Sequence, residues 1–141
     1  MAKKKIFISF DYTKDHRYKD LLLAWSSNSN FEFSFDNRTP FEIQSNDISR
    51  IKAGLTTKIN EADITLVIVG EDCNKPHPDR YAIGYKNWQI FEIETSKIAK
   101  KKLVAVKLNM YNNTPSELYG SGVSWAMSFT FDAIKKAIEN V

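Results

Sequence analysis

The sequence contains a single cysteine, Cys73, which excludes a disulfide within the chain and suits a reducing compartment. Its two histidines, His16 and His77, lie far apart, and no C-x-x-C pair or His/Cys cluster is present. Structural metal sites are built from such clusters, so the sequence predicts no metal site. These absences favour a cytoplasmic protein that uses no metal ion.

Long apolar runs are also absent. The basic segment Met1–Lys5 is followed by an apolar run too short for a signal peptide or a membrane span. The net charge of +3 is small and the lysines are dispersed, whereas nucleic-acid-binding domains usually carry a concentrated basic stripe. We therefore expect neither a membrane nor a nucleic-acid partner. The 141 residues suffice for one substantial core, which predicts a single domain over residues 1–141.

What the sequence does contain is an alternation of apolar strands and amphipathic helices. The predicted strands are 5–10, 31–35, 64–70, 103–108 and 123–127, and the predicted helices are 14–27, 48–62, one that starts at Trp88, and 129–140. Residues 31–35 alternate as in an edge strand, and residues 64–70 are apolar enough for the sheet centre. This order predicts an α/β fold, a three-layer α/β/α sandwich with a central, mostly parallel, flavodoxin-like sheet of about five strands.

Polar loops join these elements. Ser45 or Asp47 can cap the helix that begins at Ile48. The segment 71–86 contains two prolines and a glycine, which predicts irregular structure, and residues 109–122 are predicted to form a loop.

In a parallel sheet the ligand site lies beyond the carboxyl ends of the strands. Topology brings a set of polar residues to that edge: Ser9, Asp11, Asp36, Glu71 and Asp72. Neither the G-x-G-x-x-G pattern nor the P-loop pattern occurs, so a Rossmann dinucleotide site and a P-loop are excluded. A response-regulator site is disfavoured because the 64–70 strand ends in Gly70 rather than in an aspartate.

The segment Trp88-Gln89-Ile90-Phe91-Glu92 forms a W-x-x-x-E pattern that places a carboxylate among apolar residues. On a helix Glu92 lies one turn after Trp88, at the edge of a predicted buried stripe that also includes Ile98. Glu94 flanks the other edge of the stripe, so helical geometry alone leaves both glutamates as candidates. Trp88 is most simply a core aromatic residue, and Glu92 could also be a helix-surface residue paired with Lys86, Ser96 or a loop.

Three segments resemble TIR domains, in particular the TIR-like proteins of the Thoeris anti-phage defence systems (ThsB-like proteins). The run Ile6-Phe7-Ile8-Ser9-Phe10 is similar to the opening TIR strand, and its continuation through Asp11, Asp15, Arg17 and Trp25 resembles the S-F-x-Y…D…R…W run of the Thoeris group. Residues 66–70, followed by Trp88 and Glu92, resemble the run around the family's catalytic glutamate. The resemblance covers residues 5–108 and implies a TIR-type fold.

The resemblance implies an enzyme that cleaves the nicotinamide–ribose bond of NAD and produces a signal, often a cyclic ADP-ribose isomer. Glu92 would be catalytic, and Trp88 would pack beneath it and take part in binding the substrate. Ser9 and Phe10 would line the nicotinamide-ribose pocket, Asp11 would contact the sugar, and Asp36 is a further substrate-binding candidate. NAD is then the substrate, and no cofactor is implied.

The same resemblance implies self-association into a homo-oligomer and a downstream effector that responds to the small-molecule signal. The alternative is a catalytically inactive TIR scaffold that acts through self-association. The chain departs from the family in its long segment 71–86, which could form a lid or a partner surface. The loop 36–46 lies where TIR domains close over substrate, an assignment by position and not by motif.

Overall fold

The computed structural model describes residues 4–11, 13–27, 32–36 and 47–141. In chain order the elements are β1 (Lys4–Ser9), α1 (His16–Ser26), β2 (Phe33–Asp36), α2 (Ile48–Glu61), β3 (Ile64–Val69), α3 (Arg80–Ile83), α4 (Trp88–Ile98), β4 (Lys102–Lys107), a 3₁₀ turn (Ser116–Leu118), β5 (Ser124–Ala126) and α5 (Phe131–Glu139). Among these described residues, no helix is long and apolar enough to cross a membrane.

The five strands form one sheet in the order β2-β1-β3-β4-β5, and every neighbouring pair is parallel. This arrangement confirms the predicted α/β fold class. Strand β3 lies at the centre with all six residues buried, as its almost entirely apolar sequence predicts. Strand β2 lies at an edge, in agreement with its alternating pattern.

Helices cover both faces of the sheet. On one face, Leu22 of α1 and Ile134 and Ile138 of α5 pack against Ile6, Ile8, Leu66, Ile68, Val104 and Val106 of the strands. On the other face, α2 and α4 pack against Phe7, Val67 and Leu103. Successive residues of each strand face opposite sides of the sheet, so the strands contribute to two separate apolar layers. Together with the helices these layers form the three-layer sandwich.

The crevice between β1 and β3 follows from this topology. The chain leaves β1 toward α1 on one face, whereas it leaves β3 toward α4 on the opposite face. The two strands are direct neighbours, with Ser9 in register with Val67. Such a switch point is where α/β sheets of this strand order bind ligands beyond the carboxyl ends of the strands.

The structure differs from the sequence-based expectations at several element ends. Helix α1 begins at His16 and not at residue 14, because Asp15 occupies the N-cap position with φ −104° and ψ 16°. Asp47 caps α2 by accepting a hydrogen bond from the Ser49 backbone N–H at 2.9 Å, while Ser45 lies outside the described residues.

The two segments expected to be irregular each contain a short helical element. Within 71–86, α3 forms and ends at Gly84, which adopts φ 86°, a left-handed conformation suited to glycine. The 3₁₀ turn Ser116–Leu118 lies within 109–122 and buries Leu118. Elements of three or four residues are too short to show a helical repeat in the sequence, which is why periodicity missed them.

Candidate active site

The centre of the crevice is a buried hydrogen bond between the end of β1 and the middle of α4. The Ser9 hydroxyl donates to Glu92 Oε1 at 2.8 Å. Ser9 is fully buried, and Glu92 is only 1% exposed. The expectation that Glu92 lies at the edge of the buried stripe is wrong, because the helix turns this carboxyl directly onto the sheet.

Burial controls the ionisation of Glu92. Desolvation raises its pKa from 4.5 to about 8, and the hydrogen bond from Ser9 opposes this shift by favouring the charged carboxylate. In this conformation Glu92 is therefore mostly protonated at pH 7. A pKa near the working pH is what acid–base and electrostatic catalysis requires, and such shifts cluster at functional sites.

Glu94 is in a different environment from Glu92. Its side chain is 26% exposed and forms an ion pair with Lys97 at 3.0 Å, three residues along the same helix. A partly exposed helical pair of this kind contributes little to stability, and its contacts lie outside the crevice. These contacts distinguish Glu92 from Glu94, which helical geometry alone left as equal candidates.

Two hydroxyl groups fix the helix below Glu92. Ser96 Oγ donates to the Glu92 backbone carbonyl at 2.7 Å and lies 2.7 Å from Thr65 Oγ1 on β3. The last turn of α4 therefore directs Ser96 toward the sheet, while Ile98, expected on the buried side, is 75% exposed. Ser96 was named from the sequence only as a possible surface partner of the Glu92 side chain, whereas it contacts the Glu92 backbone carbonyl. Thr65 was not identified, because a hydroxyl residue in an apolar segment carries no distinctive signal.

Gln89 lies one helical turn before Glu92 and joins the two central strands. Its Nε2 donates to the Ser9 carbonyl at 3.2 Å and to the Ile68 carbonyl at 2.7 Å. Ser9 is thus held twice from α4, through its hydroxyl by Glu92 and through its carbonyl by Gln89. Gln89 was also missed, although a glutamine between Trp88 and Ile90 is the kind of polar interruption that can indicate a site.

The start of α4 is tied to the preceding loop by Asn87. Its side-chain oxygen accepts a hydrogen bond from the Ile90 backbone N–H at 2.8 Å, which caps the helix. Its Nδ2 donates to the carbonyl groups of Cys73 and Lys75, at 2.9 and 3.0 Å. One side chain therefore fixes both the helix that carries Glu92 and the segment expected to form a lid or partner surface.

Trp88 lies in the apolar layer between α2 and α4. Its ring packs edge-on against Phe91, with centroids 5.7 Å apart, in a cluster that includes Leu55, Ile59 and Ile83. His77 approaches the Trp88 ring at 6.5 Å. This placement matches the simpler interpretation of Trp88 as a core aromatic residue, and its contact with substrate stays a prediction.

The other predicted substrate-binding residues lie around the same edge. Phe10 is buried among the α1-side residues, with its ring 6.2 Å from His16 in an edge-on contact. Asp11 is partly exposed and accepts a hydrogen bond from the Thr13 backbone N–H at 3.0 Å. Asp36 ends β2 opposite Phe7, but its side chain and the loop 37–46 lie outside the described residues. Their roles in binding stay predictions.

A second buried carboxyl lies on the α1 side of the crevice. Asp15 is 6% exposed, and its carboxyl group lies against Gly70, at the end of β3. Burial, together with the nearby carboxylates of Asp11 and Asp72, raises the pKa of Asp15 from 3.8 to about 6. The sequence included Asp15 only as part of a family-like run and assigned it no role.

Comparison with known proteins identifies the family to which this α/β domain belongs. Residues 7–113 match the family described as "Thoeris protein ThsB, TIR-like domain". The chain belongs to this ThsB TIR-like family, which confirms the resemblance noted in the sequence. No match is found among curated protein sequences.

Several solved structures share the fold at low sequence identity. A CMP N-glycosidase, BcmB, from Clostridium botulinum is 13% identical, with a TM-score of 0.61 and coverage of 98% of this chain and 100% of that chain. A 2-deoxyribosyltransferase from Bacillus psychrosaccharolyticus is 14% identical, with a TM-score of 0.58 and coverage of 97% of this chain and 91% of that chain. A prokaryotic SEFIR domain is 19% identical, with a TM-score of 0.56 and coverage of 98% of this chain and 95% of that chain.

Proposed function

We propose that this protein is a TIR-type enzyme of bacterial anti-phage defence that cleaves the nicotinamide–ribose bond of NAD. The observation that carries the proposal is the buried Ser9–Glu92 hydrogen bond of 2.8 Å at the β1–β3 switch point of a ThsB-type domain. The fold is compatible with such chemistry, because it also occurs in a CMP N-glycosidase and a 2-deoxyribosyltransferase.

The chemistry of NAD cleavage needs one carboxylate and no general acid. As the bond between ribose C1′ and the nicotinamide nitrogen breaks, its electron pair moves to the pyridinium nitrogen, so nicotinamide leaves neutral. Positive charge develops on the ribose as an oxocarbenium-like centre. An ionised Glu92 beside that centre stabilises the charge, a kind of electrostatic contribution typically worth about 3–4 kcal/mol.

The raised pKa of Glu92 fits this role once substrate is considered. The free carboxyl is mostly protonated at neutral pH, with a pKa of about 8. A cationic nicotinamide ring that enters the crevice favours the charged carboxylate and lowers that pKa. Ser9 then stabilises the carboxylate through the hydrogen bond it already donates. A nucleophile, either water or the adenine of the same molecule, completes the reaction at C1′ and gives linear or cyclic ADP-ribose.

The product would act as a signal for a separate effector, and self-association of the domain would complete the site. A scaffold without activity is the competing function. A scaffold gains no stability from a buried, desolvated glutamate, because an unfavourably buried carboxyl opposes folding at neutral pH. A catalyst needs a carboxyl in the crevice, whereas a scaffold has no use that would offset the loss of folding stability. The burial of Glu92 therefore favours the enzyme over the scaffold.

The decisive experiment measures nicotinamide release from NAD by the wild type, by Glu92→Gln and by Glu94→Gln. Loss of the Glu92 charge should reduce kcat/KM about 100- to 1,000-fold, the usual effect of one electrostatic group. Glu94→Gln, on the same helix but paired with Lys97 outside the crevice, should retain activity. Turnover by Glu92→Gln at the wild-type rate would reject the assigned role. Absence of turnover by every variant across a wide range of protein concentrations, including those that favour association, would favour the scaffold.

A further inference from the structure

Two buried oxygen atoms at the crevice accept no hydrogen bond. Within the described part of the chain, they are the side-chain atoms that are buried and without a partner: Asp15 Oδ2 and Gln89 Oε1. Leaving such an acceptor unsatisfied is unfavourable, and proteins tolerate it mainly where function requires it. Both atoms are acceptors, so the group that would satisfy them must carry N–H or O–H donors.

The orientation of Gln89 is determined by its neighbours. The atoms nearest its amide nitrogen are the carbonyl oxygens of Ser9 and Ile68, which can only accept hydrogen bonds. A flipped amide would place oxygen against both of them. Nε2 must therefore face the strands, which leaves Oε1 as a fixed acceptor one helical turn before Glu92.

Asp15 occupies a position where an aspartate usually caps a helix, but its side chain makes no capping hydrogen bond. The carboxyl turns inward instead, onto the α-carbon of Gly70. A Cβ at position 70 would lie 2.0 Å from Asp15 Oδ2, so glycine is what allows this placement. The helix thereby lacks a side-chain cap, and the buried carboxyl lies against the end of β3 instead.

The two acceptors flank the same short segment of β3. The Ile68 carbonyl accepts from Gln89 Nε2 at 2.7 Å and from the Gly70 backbone N–H at 3.2 Å. Gln89 therefore meets this segment from the α4 side, and Asp15 meets it from the α1 side.

The charges around Asp15 are mostly negative. Asp11, Glu71 and Asp72 act on its carboxyl, against the opposing influence of Lys14. That lysine is paired with Glu71 at 3.2 Å and with Asp72 at 3.3 Å. A phosphate group would be repelled here, whereas a cation that carries hydrogen-bond donors would be attracted.

We propose that Asp15 and Gln89 recognise the cationic nicotinamide-riboside end of the substrate by accepting hydrogen bonds from its N–H or O–H groups. This inference rests on the proposed function and adds two hydrogen-bond acceptors to the nicotinamide-ribose pocket that the family resemblance implies. The donors are either the carboxamide N–H groups or the ribose hydroxyls, since both belong to this end of NAD.

The test measures binding of small cations and not turnover. Nicotinamide riboside is titrated into Glu92→Gln protein, where cleavage is suppressed, and compared with the double variants that add Asp15→Asn or Gln89→Met. Each added substitution should weaken binding about tenfold, which corresponds to about 1.4 kcal/mol. The matched control is Asp20→Asn, since Asp20 is an exposed aspartate of α1 that pairs with His16 and Lys19. It should leave the affinity unchanged.

The compound 1-methylnicotinamide separates the two sources of donors, because it keeps the cation and the carboxamide but has no ribose. An equal loss of affinity for both compounds in the variants identifies the carboxamide as the donor. A loss confined to nicotinamide riboside identifies the ribose hydroxyls. Since 1-methylnicotinamide has no N-glycosidic bond, this result is independent of whether the wild type cleaves NAD.

Gly70→Ala provides a second variant in which Asp15 remains in the chain but its carboxyl is displaced by the added methyl group. Circular dichroism verifies that each variant is folded, and Gly70→Ala should weaken binding as Asp15→Asn does. The proposal is overturned if neither Asp15→Asn nor Gln89→Met changes the affinity, if Asp20→Asn weakens it equally, or if nicotinamide riboside does not bind.

Discussion

At the scale of single residues, the Ser9 hydroxyl lowers the pKa of the Glu92 carboxyl that it contacts. Burial raises the pKa of Glu92 to about 8, and the hydrogen bond from Ser9 keeps it from rising further. If the ionised carboxylate is the active form, kcat/KM for NAD should increase with pH, with an apparent pKa of about 8 in the free enzyme.

Substitution of Ser9→Ala removes the donor and should move that apparent pKa upward by about one to two units, since hydrogen bonds to charged groups contribute about 1.5–3 kcal/mol. Initial rates of nicotinamide release between pH 5.5 and 9.5 measure the shift. Ser124→Ala is the control, because Ser124 is a strand serine that donates to Ala137 at 2.7 Å away from the crevice. A pH profile identical in wild type and Ser9→Ala would contradict this role.

At the scale of elements, the beginning of α4 depends on Asn87, which combines a helix cap with two hydrogen bonds to the preceding loop. Asn87→Ala should lower the free energy of unfolding by about 2–4 kcal/mol, since a lost cap costs about 1 kcal/mol and each lost hydrogen bond about as much. Urea denaturation measures this change.

Asn87→Asp distinguishes the two contributions, since it keeps the capping acceptor but loses both donors to the Cys73 and Lys75 carbonyls. Its destabilisation should lie between the wild type and Asn87→Ala. Asp47→Ala, which removes the exposed cap of α2, should cost only about 1 kcal/mol. Equal losses for Asp47→Ala and Asn87→Ala would show that the loop bonds contribute nothing.

The same elements show how far the sequence could be interpreted. Strands such as β3 are continuous apolar runs, and α2 and α5 repeat apolar residues at helical spacing, so the fold followed from local patterns. Helix α3 could not be predicted in this way, because four residues are too few to show a helical repeat. The Ser9–Glu92 bond joins residues separated by 83 positions, and the inward turn of Asp15 depends on the missing side chain of Gly70. No local pattern encodes such long-range contacts, so only the family resemblance distinguished Glu92 from Glu94 before the structure did.

At the scale of the whole molecule, two buried carboxyls make folding depend on pH. The pKa values in the folded state are about 8 for Glu92 and about 6 for Asp15, against ordinary values of 4.5 and 3.8. Both groups bind protons more tightly when folded. Their contribution to stability is therefore complete below about pH 4 and is lost progressively as the pH rises toward 8.

We expect Glu92→Gln, which keeps the shape but cannot ionise, to exceed the wild type in free energy of unfolding at pH 8.5 by on the order of 3 kcal/mol. The difference should shrink toward pH 5, where the wild-type carboxyl is protonated in the folded state. Urea denaturation at both pH values measures it, with Glu94→Gln as the variant that should follow the wild type throughout. A constant difference at both pH values would show that ionisation of Glu92 does not oppose folding.

The protonated state of Glu92 has a consequence for the pH dependence of the proposed reaction. At neutral pH, binding of a cation beside Glu92 would release the proton that the carboxyl holds, so one positive charge would replace another. Protons would then compete with the proposed cationic substrate, and each unit of acidification below pH 8 would weaken its binding up to tenfold. A lower pH would thus restrain the proposed reaction without any moving segment or second ligand, through the position of one carboxyl group under a strand.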